Sequence, residues 1–223
     1  MPTPLSPTDR TTLNRKKNRA LTDRSALYAV LDEGLICHLG VVRDGVPLVI
    51  PTGYGRDGNT LYLHGSTGAR SMRDSDGVEV CVTVTLLDGV VYARSVNNHS
   101  MNYRSAVILG KAAAVTDPDR KMHGLRVLTD HLAPGSWEHA RDVNAKEFAS
   151  VSVLELDLTE ASVKMRGEGP DDPEDEVAAD LSWAGVLPVR TVFGEPEPSK
   201  DLVRAWEVPA HVRDRELKGT LPA

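Results

Sequence analysis

Two glycines, three hydroxyl side chains and an arginine fall together in Gly65-Ser66-Thr67-Gly68-Ala69-Arg70-Ser71. Glycine at two positions permits close backbone approach or a positive φ. The hydroxyls and the guanidinium sit where a helix would begin, and free amides together with the helix dipole favour an anion there. One phosphate group fits these residues. A loop with a surface arginine fits them equally, because the spacing is far looser than a Walker or dinucleotide fingerprint.

The other reactive side chains carry less. His64 precedes the turn at a strand end, where a packed or solvent-facing histidine is the plain alternative to a reactive one. His99, in Asn97-Asn98-His99-Ser100, reads as turn chemistry. His123, His131 and His139 recur every eight residues, which on a helix sets the first pair about 80° apart and two turns distant, a poor metal geometry. Cys37 and Cys81 lie in apolar runs with no cation beside them, and read as two buried thiols rather than a disulfide framework or activated nucleophiles. No Ser/His/Asp triad follows from spacing.

The elements that must position the turn are mostly strands. Leu61, Leu63 and Gly65 alternate with Tyr62, His64 and Ser66, so Thr60 to Ser66 is a strand running into the turn, with a short helix over Ala69 to Asp74. Before it, Leu35 to Val42 and Val46 to Tyr54 form a hairpin around Asp44-Gly45, and Asp57-Gly58 turns the chain again. A helix from Asp23 to Glu33, capped by Thr22 or Asp23 and stopped by Gly34, presents Leu27, Val30 and Leu31.

After the turn, Val78 to Thr85 and Val90 to Val96 read as a second hairpin around Asp88-Gly89. Tyr103 to Thr116 is a strand apolar on both parities. Asp117-Pro118 ends it and caps an amphipathic helix reaching Pro134-Gly135. Ser150 to Arg166 reads as one long strand, Gly167 to Glu176 as an exposed acidic loop, and Pro173 to Ala184 as a helix. In the proline-rich tail from Val186 to Ala223, and just before it, Trp206 and Trp183 are expected to bury their rings as anchors.

Whole-chain properties set bounds. The 223 residues suit one well-buried domain with an appendage: an arm over 1–20, a β-rich unit over 21–166, and a loop, helix and tail over 167–223 packed on the barrel or a partner subunit. A net charge of −6 argues against nucleic acid as the main partner, and the basic run Arg15, Lys16, Lys17, Arg19 reads as a solvated arm. No apolar run approaches the length of a membrane span and the first ten residues lack a signal-peptide core, so a cytoplasmic protein is expected.

The order helix, three strands, short helix, two strands, long strand, helix, long strand resembles the pyridoxamine 5'-phosphate oxidase-like flavin-binding proteins, and within them the nitroimidazole-reductase-like branch. Three segments carry the resemblance: Leu48-Val49-Ile50-Pro51-Thr52-Gly53-Tyr54; Leu61 to Ser66 with Ala69-Arg70-Ser71; and Ala93-Arg94-Ser95 followed by His99 to Lys111. Trp183 to Pro188 is also similar to that branch.

The resemblance implies a mainly β, antiparallel FMN-binding split β-barrel with flanking helices, working as a homodimer. It implies an FMN whose phosphate is held by Ser66 and Arg70, with Ser71 beside them. Pro51, Thr52 and Tyr54 would run along the isoalloxazine edge, His64 and Gly65 along the ribityl chain, and Ser100, Asn102 and Arg104 would approach from a strand start. His64 is the candidate catalytic residue, and no metal is expected. The implied activity is an FMN-dependent oxidoreductase on a small organic acceptor, with a nicotinamide as possible electron donor. A non-catalytic flavin carrier or sensor, or a split barrel holding heme or a deazaflavin, are the alternatives. Oxidases of this group place two consecutive basic residues where this chain has Arg70-Ser71, and no counterpart of their basic substrate-phosphate grip follows near the C-terminus. Both departures argue against pyridoxamine phosphate as substrate.

Overall fold

The structure is a computed structural model and describes residues 4–5 and 7–216. The first residues of the arm and the tail beyond residue 216 lie outside the described residues. In chain order the elements are β1 (Ala20–Leu21), α1 (Arg24–Glu33), β2 (Ile36–Arg43), β3 (Val46–Asp57), β4 (Thr60–Ser66), α2 (Arg70–Ser75), β5 (Glu79–Tyr92), β6 (Ser100–Lys111) and β7 (Ala113–Ala114). Then follow α3 (Pro118–Leu132), α4 (Ser136–His139), α5 (Ala145–Ser150), β8 (Val151–Asp157), β9 (Ala161–Arg166), α6 (Glu174–Ala179), β10 (Gly185–Pro188) and α7 (Ala210–Arg213).

The strands pair antiparallel in the order β1-β9-β6-β5-β2-β3-β4-β8-β7, with β10 added to β5. β3 splits the barrel: Val46 to Gly53 pair with β2, and Tyr54 to Asp57 pair with β4. The far side closes where Leu109 N donates to Glu160 O and Gly110 meets Leu156. Inside lie Leu39, Leu61, Leu63, Val82, Val84, Ile108 and Leu156, with Leu27 and Leu31 of α1 plugging the barrel. Burying each of these aliphatic side chains stabilises the fold by about 1.5–3 kcal/mol. α1 starts as expected, on an Asp23 carboxylate accepting from Ser25 N. Asp117 and Pro118 likewise open α3, which lies on β3 and β4 so closely that a Cβ at Gly55 would stand 2.7 Å from Val127 O.

Four readings need correction. Asp88-Gly89 is not a hairpin turn: β5 runs straight through it for 14 residues, with a register shift between Leu87 and Gly89. The extra length is used by two neighbours on one edge, β2 at Cys81 to Thr83 and β10 at Gly89 to Tyr92. The run Ser150 to Arg166 is two strands, because Asp157 accepts from Thr159 N and turns the chain before Glu160. The helix placed over Pro173 to Ala184 is only α6, ended by Asp180 at φ 44. Trp183 and Trp206 are not buried anchors: they are 70% and 60% exposed in the single chain. Trp183 leans on Tyr92, ring centroids 5.9 Å apart, and Trp206 lies under the Arg204 guanidinium.

Candidate functional site

β4 delivers the turn. Leu61 and Leu63 are buried inside the barrel, so alternation puts His64 and Ser66 on the outer face. Gly65 is small because α2 packs on it: a Cβ there would lie 2.7 Å from Met72 Cγ. The turn is folded by its own bonds. Thr67 N donates to Ser150 O at 2.9 Å, Ala69 N to Ser66 O at 2.8 Å, and Gly68 N to Ser66 Oγ at 3.2 Å. Arg73 donates to the carbonyls of Thr67 and Gly68 at 3.1 and 3.0 Å, drawing those acceptors away from any anion at the turn.

Those bonds leave donors over. Ser66 Oγ accepts from Gly68 and its own O–H is uncommitted, while Ala69 at the start of α2 offers no side-chain acceptor to the first-turn amides. The Arg70 guanidinium is 62% exposed, with Asp44 at 3.5 Å and Asp74 at 3.7 Å. Asp74 is engaged more tightly by Arg43. Exposed pairs at these distances are worth little, so Arg70 is available for a charge-assisted, bidentate contact with an oxyanion. Ser71 follows it in α2, half-buried.

β3 presents Pro51 and Gly53 outward and Thr52 on the same parity as buried Tyr54. Thr52 is half-buried and its hydroxyl donates to Gly53 O at 3.3 Å. His64 is exposed, opposite Val153 in the β4–β8 ladder. A histidine that sequence reading passed over joins this face: His38 is exposed and pairs with Pro51 on one side and Thr83 on the other. The period-2 pattern Ile36, His38, Gly40 was the signal for it.

Three further residues assigned to the cofactor stand elsewhere. Tyr54 is 1% exposed, and its hydroxyl lies 2.7 Å from Leu31 O and 2.8 Å from Gly34 O. It belongs to the core, and burial raises its phenol above the usual range. Asn102 and Arg104 share the inward parity of Ala106 and Ile108 on β6. Arg104 accordingly binds Glu33 of α1 and Asp88 of β5, with all three side chains largely withdrawn from solvent. The Asp88 and Glu33 carboxylates hold its guanidinium firmly protonated. Asn102 is buried and accepts from Arg166, whose side chain is itself 3% exposed. Ser100, half-buried, pairs with Val91 at the start of the same strand. Ser66, Arg70 and Ser71 thus stand together at the turn with His64 just before it, while Pro51 and His38 face outward side by side on the β2–β3 ladder.

The family model for pyridoxamine 5'-phosphate oxidase matches residues 23–165. The chain belongs to the pyridoxamine 5'-phosphate oxidase family. The match runs from the cap of α1 to the penultimate residue of β9, so it covers β2 through β9 and leaves out β1 and β10. Among solved structures, the flavocytochrome Anf3 from Azotobacter vinelandii is 38% identical, with 96% of this chain and 100% of that one covered and a TM-score of 0.90. An FAD and heme binding protein from Mycobacterium smegmatis is 37% identical over 88% of this chain and 96% of that one, with a TM-score of 0.84. A chain assigned to 5-nitroimidazole antibiotic resistance in Bacteroides thetaiotaomicron, 21% identical over 65% of this chain and 85% of that one, shares the fold at a TM-score of 0.54. Comparison with curated protein sequences gives no match. Within this family, the first two likenesses extend beyond the barrel into the C-terminal region.

Proposed function

We propose that this chain is a flavin-dependent oxidoreductase that works as a homodimer on a small organic acceptor. The observation that most supports it is the likeness, over 96% of the chain at 38% identity, to a flavocytochrome. The residues at the turn fit a flavin nucleotide. The uncommitted Ser66 hydroxyl and the exposed Arg70 fork match the phosphate that FMN and FAD share next to the ribityl chain. FMN is the form the family resemblance implies.

Bound there, the flavin would supply hydride or single-electron chemistry. This chain's own residues do the binding and orienting. Arg70, Ser66 and Ser71 hold the phosphate; Pro51 and Gly53 give the ring a flat edge; His64 orients the ribityl or ring by a hydrogen bond, or holds a proton near neutral pH. The homodimer is supported by the outer sheet face, where Ile36, Val42 and Val49 are 58%, 67% and 62% exposed on one parity of the β2–β3 ladder. A nicotinamide serves as electron donor in this reading, and the unpaired thiols of Cys37 and Cys81 suit a cytoplasmic setting. No helix among the described residues is long and apolar enough to cross a membrane.

A second reading adds a heme to the flavin. It is favoured by the two near-full-length relatives, one a flavocytochrome and one binding FAD and heme.

The test is the absorbance spectrum of the purified protein, with chromatography of the flavin released on denaturation. Flavin bands, bleached by a nicotinamide donor and restored by an organic acceptor, are expected. A Soret band in addition would establish the second reading. Protein that stays colourless after incubation with FMN, FAD and heme would overturn both.

A further inference from the structure

From Arg190 to Val208 the chain forms neither helix nor strand, and its backbone gives a single hydrogen bond to another backbone group, Leu202 N to Ser199 O. Its apolar side chains face solvent: Val192 is 78% exposed, Val203 101% and Leu202 46%. Yet both ends are tied to the body. β10 pairs with β5 before the segment, and Val189 N donates to Asp88 O. After it, α7 sets His211 against Gly135 and 5.0 Å from the ring of His139, while Arg215 donates to the carbonyls of His131 and Leu132.

Phe193, 5.0 Å from the Arg215 guanidinium, is partly covered, but a stretch that fully buries no side chain and bonds almost none of its backbone has little to offset its conformational entropy. Pro196 and Pro198 restrict it without supplying contacts. The same chain leaves a second apolar surface bare, the outer face of the β2–β3 hairpin, where Ile36, Val42 and Val49 are each more than half exposed. Neither surface covers the other within one chain. A strap of about twenty residues at about 3.1 Å each has a contour of about 60 Å, so with both ends tied it can stand off its own body by at most about 30 Å, against a radius of gyration of about 17 Å for a folded chain of this length.

We infer that residues 190–208 are a clasp that lies on a second copy of this chain, its valines covering the β2–β3 face of that copy, with the reciprocal contact made by the twofold partner. The clasp rests on the homodimer proposed above and specifies what completes it. Twofold symmetry doubles every contact, so two short straps add substantially to an interface of standard size.

Val192 and Val203 are exposed in the single chain, so Val192→Asp with Val203→Asp leaves the protomer's own packing intact. By sedimentation, the wild type is expected to be a dimer at micromolar concentration, and the double variant to dissociate at least tenfold more readily with an unchanged circular dichroism spectrum. A monomeric wild type would overturn the homodimer and the clasp together. A dimeric wild type with an equally tight variant would overturn the clasp and leave the homodimer standing. The contact itself is read by a benzophenone attached to Val203→Cys in a Cys81→Ser background: links between chains, to residues 36–49, are expected, and links confined to one chain would overturn the proposal.

Discussion

The rings of Tyr54 and His131 lie 4.8 Å apart, and both aim a donor at the carbonyl of Gly34, the hydroxyl from 2.8 Å and Nε2 from 2.7 Å. This single carbonyl ties together the end of α1, the middle of β3 and the last turn of α3. Tyr54 thus fixes the strand that carries Pro51 and Gly53 without sharing their outward face. Tyr54→Phe is expected to cost about 1–3 kcal/mol of stability, since the carbonyls of Leu31 and Gly34 lose a buried donor. Urea denaturation reads that cost, while flavin affinity should stay within twofold; a selective loss of flavin would return Tyr54 to the cofactor.

Arg70→Ala should weaken FMN far more than riboflavin, by roughly 1.5–3 kcal/mol for the lost charge-assisted contact. Protein stability should scarcely change, because the Arg70 pairs with Asp44 and Asp74 are long and the guanidinium is 62% exposed. Calorimetric titration with both ligands decides it, and equal losses would remove Arg70 from the phosphate.

Arg104 makes the opposite forecast. Arg104→Met leaves Glu33 and Asp88 facing each other, only 12% and 28% exposed, and should destabilise the fold on the order of 3–5 kcal/mol. Adding Glu33→Gln and Asp88→Asn should recover most of that loss in thermal melts. No recovery would mean that the arginine acts through something other than these carboxylates.

Alkali should unfold the protein before it releases anything from the turn. Burial pushes the Cys37 thiol from its ordinary 9.0 up to about 12 and raises Tyr54 above its ordinary 10.0. Both groups are neutral in the fold and ionise earlier in the unfolded chain, so their stabilising effect is whole below pH 9 and is lost as pH rises from about 9 to 12. Melting temperature should therefore fall across that window, and Cys37→Val should flatten the fall; a slope unchanged by the variant would acquit the thiol.

Local pattern was enough for much of this protein. Alternation in Thr60 to Ser66, the Asp-Gly turns at 44–45 and 57–58, and the Asp23 and Asp117 caps each depend on neighbours a few residues away, and each stands where the sequence puts it. The family, and the turn from Gly65 to Ser71, were legible for the same reason. What local pattern misassigned is what depends on distant partners. Asp88-Gly89 carries a strong turn signal, but β10, a hundred residues on, and β6 hold it extended. Tyr54, Asn102 and Arg104 are placed on the cofactor by the family resemblance, not by local pattern, and only the closed barrel decides that their polar ends meet Gly34, Arg166, Glu33 and Asp88. The side of a strand is written in its parity. Which side is inside is settled by closure, since a polar group turned inward must find its partner within the protein.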